Sequence, residues 1–351
     1  MLNFEALLEK EEYSFLKENR FLGENIGLLA YGGSIAYGTN TPESDIDIRG
    51  MAVNNTKQLF NLENDFEQVV DIDTDTTIYS LNKMVKLLLS CNPNTIEILG
   101  CKPEHYLYIN KYGEKLLQHK KDFLSIKAID SFGGYASQQY NRLEHGLLGN
   151  GDNDDKKLLM LKHSIERDIE AFNAKHSDLH MNLELQRVST EEFNAIYNNR
   201  TVSDDVSNEH LLVNGSFVNV PVTDFKTIIS EIHKIQSEYG NINKRNTKKT
   251  DKKLAKHMMH LIRLYLMGTD LNSKGEIQTY REAEHDLLMD IRNGKYMTGD
   301  GMRVRPEFYE LLEDIQNKYQ YSLKNTVLPE RANYEALSEM MLGIYKERLD
   351  A

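Results

Sequence analysis

Apolar and polar positions change their period part-way along the chain. Phe4, Leu7, Leu8, Phe15 and Leu16 form a helical stripe among Glu and Lys, which predicts an amphipathic helix over 3–20 ended by Gly23. Ile26–Tyr31 is a nearly continuous apolar run, the pattern of a buried strand, and it breaks into Gly32-Gly33-Ser34. Residues 45–53 predict a second strand, in which Asp45, Asp47 and Arg49 share one face and Ile46 and Ile48 the other. Residues 66–72 and 76–79, rich in Val, Ile, Thr and Tyr, predict two more strands split by a polar turn. Ser80 is placed to cap a helix over 81–90, which Asn92-Pro93 stops; 95–99 is a further short apolar segment.

From residue 126 the period is helical. Segments 126–148, 154–175, 223–239, 251–268, 282–292, 306–320 and 333–349 all read as helices. Between them, the alternation from Leu211 to Val220 around Asn214-Gly215 reads as a hairpin or loop. The polar, basic stretch 240–250 is the best linker. The expected fold class is α+β: a small mixed-sheet domain over 1–125, then a mostly helical domain over 126–351.

Composition narrows the classes. At 351 residues the chain exceeds a single core of about 100–200 residues, so more than one domain is expected. No apolar run approaches the roughly 20 residues of a membrane helix, Met1 to Arg20 is too acidic for a signal peptide, and Cys91 and Cys101 fit no metal-ligand spacing. Reduced thiols and a cytoplasmic location are therefore expected. The net charge of −12 disfavours non-specific nucleic-acid binding by the chain as a whole. The basic residues are concentrated, however, in Lys244, Arg245, Lys248, Lys249, Lys252, Lys253 and Lys256.

The chemistry centres on Asp45-Ile46-Asp47. Two carboxylates one strand step apart repel unless a cation sits between them, and oxygen ligands of this kind suit Mg²⁺ or Mn²⁺. A third carboxylate from Asp71, Asp73 or Asp75 would complete a cage, and spacing alone does not choose among them. The Gly33-Ser34 turn lets the backbone approach a phosphate.

A strand, Gly-Ser, a helix-length interval and Asp-x-Asp together resemble the DNA polymerase β nucleotidyltransferase superfamily. Gly33-Ser34-Ile35-Ala36-Tyr37-Gly38 and Ser44-Asp45-Ile46-Asp47-Ile48-Arg49-Gly50 resemble most closely its branch that accompanies RNA ligases in RNA-repair operons and phages. So do Asp75-Thr76-Thr77-Ile78-Tyr79 and Asn92-Pro93 followed by Ile96-Glu97-Ile98. Ser80 and Ile35 depart from that pattern, where Asp and Arg are common. The resemblance selects Asp75 as third carboxylate and implies that Asp45, Asp47 and Asp75 are catalytic and metal-binding. It further implies nucleotide contacts from Gly33, Ser34, Tyr37 and Arg49.

The segment 251–268 adds a second half. At about 100° per residue, Lys252, Lys253, Lys256, His260 and Arg263 gather on one side of an otherwise apolar helix, so the stripe is expected to face a cleft. The resemblance reaches Lys256, His260 and Arg263 and implies that they meet a triphosphate or an acceptor. Arg281, His285, Arg292 and Lys295 also resemble the branch, with roles left open. The implied function is metal-dependent transfer of an NMP from an NTP to an acceptor hydroxyl, an RNA 3′ end being favoured, with RNA approaching along 244–263. Nucleotidylation of a protein or small molecule is the alternative within the same chemistry. A catalytically inactive NTP-binding protein is the alternative from another class.

Overall fold

The computed structural model describes residues 4–55, 58, 66–149, 169–170, 172–173, 176, 182–196, 209–216, 224, 228–230, 232–233, 250–298 and 304–350. By contact density the chain divides into two compact units. One comprises Met1–Asn141, Ala255–Met297 and Val304–Ala351; the other comprises Arg142–Leu254 and Thr298–Arg303. The helices after residue 254 fall in the same unit as the N-terminal sheet.

The first unit is built on β1 (Ile26–Tyr31), β2 (Ile48–Ala52), β3 (Gln68–Asp71), β4 (Thr76–Ser80) and β5 (Tyr106–Ile109). They form a mixed sheet in the order β3-β4-β2-β1-β5, with β2 and β4 parallel and the other pairs antiparallel. β1, buried at every position, lies between β2 and β5, as its unbroken apolar run requires.

Before the sheet, the expected helix over 3–20 is broken into α1 (Phe4–Leu8), a 3-10 turn (Glu11–Tyr13) and α2 (Phe15–Glu18). In one straight helix Leu7 and Leu16, nine residues apart, would point in opposite directions at about 100° per residue. The break lets Leu7, Tyr13 and Leu16 all join the core against Ile26, Leu29, Ile48 and Ile78.

α3 (Gly33–Tyr37) is the short helix after β1. α4 (Leu81–Leu89) follows β4, with the Ser80 side chain accepting the Lys83 N–H at 3.2 Å as its N-cap. The apolar segment after Asn92 is a helix, α5 (Pro93–Leu99), because Asn92 caps it and Pro93 occupies its first turn. α6 (Lys111–Gln118) and α7 (Lys127–Gly149) come next.

In the second unit, β6 (Asn182–Ser189) is followed by α8 (Thr190–Ile196) and pairs antiparallel with β7 (Glu209–Ser216). Asn214-Gly215 lies inside β7, opposite Glu184 and Leu183, rather than at a hairpin turn. Long-range pairing with a strand that periodicity missed decides its state. The expected helices at 154–175 and 223–239 and the linker at 240–250 fall largely outside the described residues.

α9 (Asp251–Lys274), α10 (His285–Arg292), α11 (Pro306–Lys324) and α12 (Tyr334–Leu349) complete the chain. Among the described residues no helix is long and apolar enough to cross a membrane.

Candidate functional site

The site grows from the end of β1. Tyr31 is the last residue of β1 paired with β2, opposite Ile48; then Gly32 N–H donates to the Asp47 carbonyl at 2.8 Å and Gly33 turns away into α3. Gly33 has φ +52°, and a Cβ there would lie 1.8 Å from Asp47 Oδ2. Only glycine leaves room for that carboxylate and accepts the left-handed backbone without strain. Ser34, in the first turn of α3, is buried, and its carbonyl accepts the Thr39 N–H at 2.8 Å.

Because β1 turns off at Gly33, residues 45–46 have no strand neighbour. β2 therefore starts at Ile48, not at Asp45, and Asp45 is left exposed ahead of it. The third carboxylate reaches the site through the parallel ladder. Ile48 pairs with Thr76 and its N–H donates to the Asp75 carbonyl at 3.2 Å, so Asp47 and Asp75 precede matching residues of β2 and β4. Asp75 adopts a left-handed conformation, φ +45°, unusual for a non-glycine residue.

The two carboxyl groups interact directly. Burial, and then the hydrogen bond and charge of Asp75, push Asp47 up to about 7. The hydrogen bond from Asp47 holds Asp75 below its ordinary range. The pair thus holds one proton between two groups. Arg49 lies across both: Nη2 is 3.1 Å from Asp75 Oδ1 and 3.6 Å from Asp47 Oδ1, and Nη1 donates to the Asp75 carbonyl at 2.5 Å.

Two facing carboxylates that retain a proton near neutrality are the donor chemistry a hard divalent cation satisfies. Asp47 and Asp75 fit such an ion. Asp45 is not drawn in, and no group of three His, Cys, Asp or Glu side chains placed to hold a metal occurs among the described residues.

From α9, Lys256 is exposed, and its positive charge acts on both Asp47 and Asp75. His260 packs edge-on against the Tyr37 ring, centroids 6.0 Å apart. Burial first, then the charges of Arg263, Lys256, His257 and Arg292, hold His260 well below the usual imidazole range, so it is neutral near pH 7.

Arg263 does not reach the cleft. It is 4% exposed, its Nη1 lies 2.5 Å from Glu97 Oε1, and its guanidinium sits 3.6 Å over the Tyr37 ring. The Tyr37 hydroxyl donates to the other oxygen of Glu97. Tyr37 and Arg263, both read from the sequence as nucleotide contacts, are joined here through Glu97 in a buried triad. Sequence reasoning gave Glu97 no role. The signal was a lone carboxylate in the apolar run Thr95-Ile96-Glu97-Ile98-Leu99, where burial demands a partner.

Of the four residues left open, Arg281 is buried against Asp270 at 2.7 Å and Glu284 at 3.0 Å, and Lys295 pairs with Asp290 at 2.6 Å on the surface. His285 Nε2 contacts the Gly38 carbonyl at 2.8 Å. Arg292 Nη2 donates to Ser44 Oγ at 3.0 Å. Lys252 and Lys253 are exposed; Lys244, Arg245, Lys248 and Lys249 lie outside the described residues.

Beside the carboxylate pair is a cleft of about 220 Å³, bordered by Gly33, Tyr37, Asp47, Arg49, Tyr79, Asn94, Glu97 and Cys101, so Tyr37 and Glu97 of the triad reach it although Arg263 does not. Tyr79 ends the segment Asp75–Tyr79 that resembles the branch but was given no role from the sequence, and neither was Asn94, an asparagine in a helix start being common.

Residues 16–159 match a family model, RlaP, described as RNA repair pathway DNA polymerase beta family. No curated protein and no solved structure matches the chain significantly. The matched segment contains the Gly33 turn, all three aspartates and Glu97, and ends before α9. The match covers residues 16–159, less than half of the 351-residue chain, and over that segment the chain is similar to the RNA repair pathway DNA polymerase beta family.

Proposed function

We propose that the protein transfers an NMP from an NTP to an acceptor hydroxyl, with an RNA 3′ end as the favoured acceptor and pyrophosphate as the leaving group. The observation that carries this reading is the Asp47–Asp75 pair, set opposite each other by the β2–β4 ladder over a glycine turn. Asp47 and Asp75 would hold a divalent cation, Mg²⁺ or Mn²⁺, while Asp45 stays exposed ahead of β2 and is not one of the facing pair. When bound, such a cation neutralises charge on the phosphates and lowers the pKa of an acceptor hydroxyl.

The chain's own residues supply the rest. Asp75, held ionised, takes up the proton of the acceptor hydroxyl as its oxygen bonds to the α-phosphorus and the bond to the β-phosphate breaks. Gly33 keeps the backbone open to a phosphate, and Lys256 faces the same carboxylates with a charge suited to the polyphosphate. Arg49, which spans both carboxylates and borders the cleft, carries a charge suited to the phosphates. The match of residues 16–159 to an RNA-repair family model and the exposed Lys252, Lys253 and Lys256 favour RNA over a protein or small-molecule acceptor.

The test incubates the full chain with each α-³²P NTP, Mg²⁺ or Mn²⁺, and total cell RNA and protein. Label should enter RNA, and Asp47→Asn or Asp75→Asn should abolish its entry. Label in protein or a small molecule would replace the acceptor, and an Asp47→Asn protein as active as the parent would remove the assignment.

A further inference from the structure

Arg292 is a charged group without a counter-charge among the described residues. It closes α10 and reaches the loop ahead of Asp45, where Nη2 donates to Ser44 Oγ at 3.0 Å. Its Nη1 is buried with no hydrogen-bond partner among the described residues. Among the described residues no carboxylate pairs with Arg292, whereas Arg263 is matched by Glu97 and Arg281 by Asp270 and Glu284. Burying a guanidinium nitrogen without an acceptor is costly, so a built site that leaves one open implies an anion from outside the chain.

The surroundings state which anion. Ser44 Oγ also accepts the Thr41 N–H at 2.8 Å, which fixes the hydroxyl beside the guanidinium. Arg292 acts electrostatically on His260, as Lys256 does, and no acidic group is among the causes of the His260 shift. His260 in turn packs edge-on against the Tyr37 ring, which borders the cleft beside Asp47, and Ser44 precedes Asp45 in the loop that leads to Asp47. A planar guanidinium beside a hydroxyl is suited to the oxygens of a phosphate, bound through two parallel N–H donors.

We propose that Arg292, with the Ser44 hydroxyl that it holds, anchors the β- and γ-phosphates of the nucleotide, the position that the sequence pattern had given to Arg263. This assignment rests on the nucleotidyl-transfer reading for the identity of the ligand. It lies outside the family-matched segment, which ends at residue 159. The same phosphate chemistry is offered by the backbone of an RNA acceptor, and the experiment separates the two.

Equilibrium binding of an α-³²P NTP to the full chain is measured by competition with unlabelled NTP, NMP and inorganic tripolyphosphate, and binding of a 5′-labelled RNA oligonucleotide is measured in parallel. Arg292→Ala should weaken NTP and tripolyphosphate on the order of 10- to 100-fold, the loss of one charge-assisted contact, and leave NMP within about threefold. Arg292→Lys should recover part of that loss, and it serves as the second variant if Arg292→Ala does not fold. Lys295→Ala, which removes only a surface ion pair, should bind as the parent does.

Unchanged NTP affinity in a folded Arg292→Ala, an equal loss for NMP, or a loss confined to RNA would each overturn the proposal. Parent protein that binds NTP through Arg292 yet transfers no label would sink the transferase reading and leave this one standing. Transfer that persists with NTP affinity untouched by Arg292→Ala would do the reverse.

Discussion

Replacing Arg263 by Met separates a structural arginine from a phosphate ligand. Methionine keeps the apolar length of the side chain but removes the guanidinium, leaving Glu97 buried with the Tyr37 hydroxyl as its remaining side-chain donor. Removing one partner of a buried ion pair costs about 3–5 kcal/mol. The guanidinium also lies 3.6 Å over the Tyr37 ring, a desolvated contact that contributes roughly 2 kcal/mol or more. Both interactions belong to one group and are not additive, so about 3–5 kcal/mol is the expected loss for the variant.

Against a total stability of roughly 5–15 kcal/mol, that loss is large enough to shift the denaturation midpoint clearly. The chain has no tryptophan, so urea unfolding is best followed by far-ultraviolet circular dichroism. Glu97→Gln alone should be similarly destabilising, because it strands Arg263. The double variant Glu97→Gln with Arg263→Met should lose less than the two single losses together. An Arg263→Met protein within about 1 kcal/mol of the parent that binds NTP poorly would refute the triad and restore Arg263 to the phosphates.

Other outcomes follow from the carboxylate pair and its supports. In EDTA, Asp47 keeps a proton in the folded chain that the unfolded chain releases from its ordinary 3.8, so stability should fall as pH rises through the window up to about 7, the opposite shift of Asp75 offsetting part of this. Asp47→Asn should flatten that dependence and be the more stable protein at pH 8; parallel thermal-midpoint curves would contradict the assigned shift. Mg²⁺ at 100 times its dissociation constant should stabilise the parent by about 2.7 kcal/mol and leave Asp47→Asn unmoved, as read by thermal melting. Gly33→Ala should cost about 1–2 kcal/mol for the left-handed backbone and abolish label transfer, since its Cβ would displace the Asp47 carboxylate. Burial pushes the Cys101 thiol up to about 12 and raises Cys91, so iodoacetamide should modify neither at pH 8 until the protein is unfolded.

The sequence by itself determined whatever depends on near neighbours in the chain. The apolar run of β1, the glycine turn after it, the Ser80 cap, the helix stop at Asn92-Pro93 and the long helix from Asp251 are each set by local period and backbone chemistry, and all are present. The α+β class follows from the same change of period. Tertiary structure decided what faces what. Asp75 meets Asp47 because β2 and β4 run parallel in a particular register, and chain spacing does not contain a register. Helical period placed Lys256, His260 and Arg263 on one side of α9 but could not say which elements pack there. Glu97, 166 residues from Arg263, claims that arginine and hides it, while Lys256 is left facing the carboxylates. Arg292 keeps a nitrogen open because, among the described residues, no acidic side chain is folded against it. A charge acquires its role from the group that desolvates or neutralises it, and those groups come together only when distant segments pack.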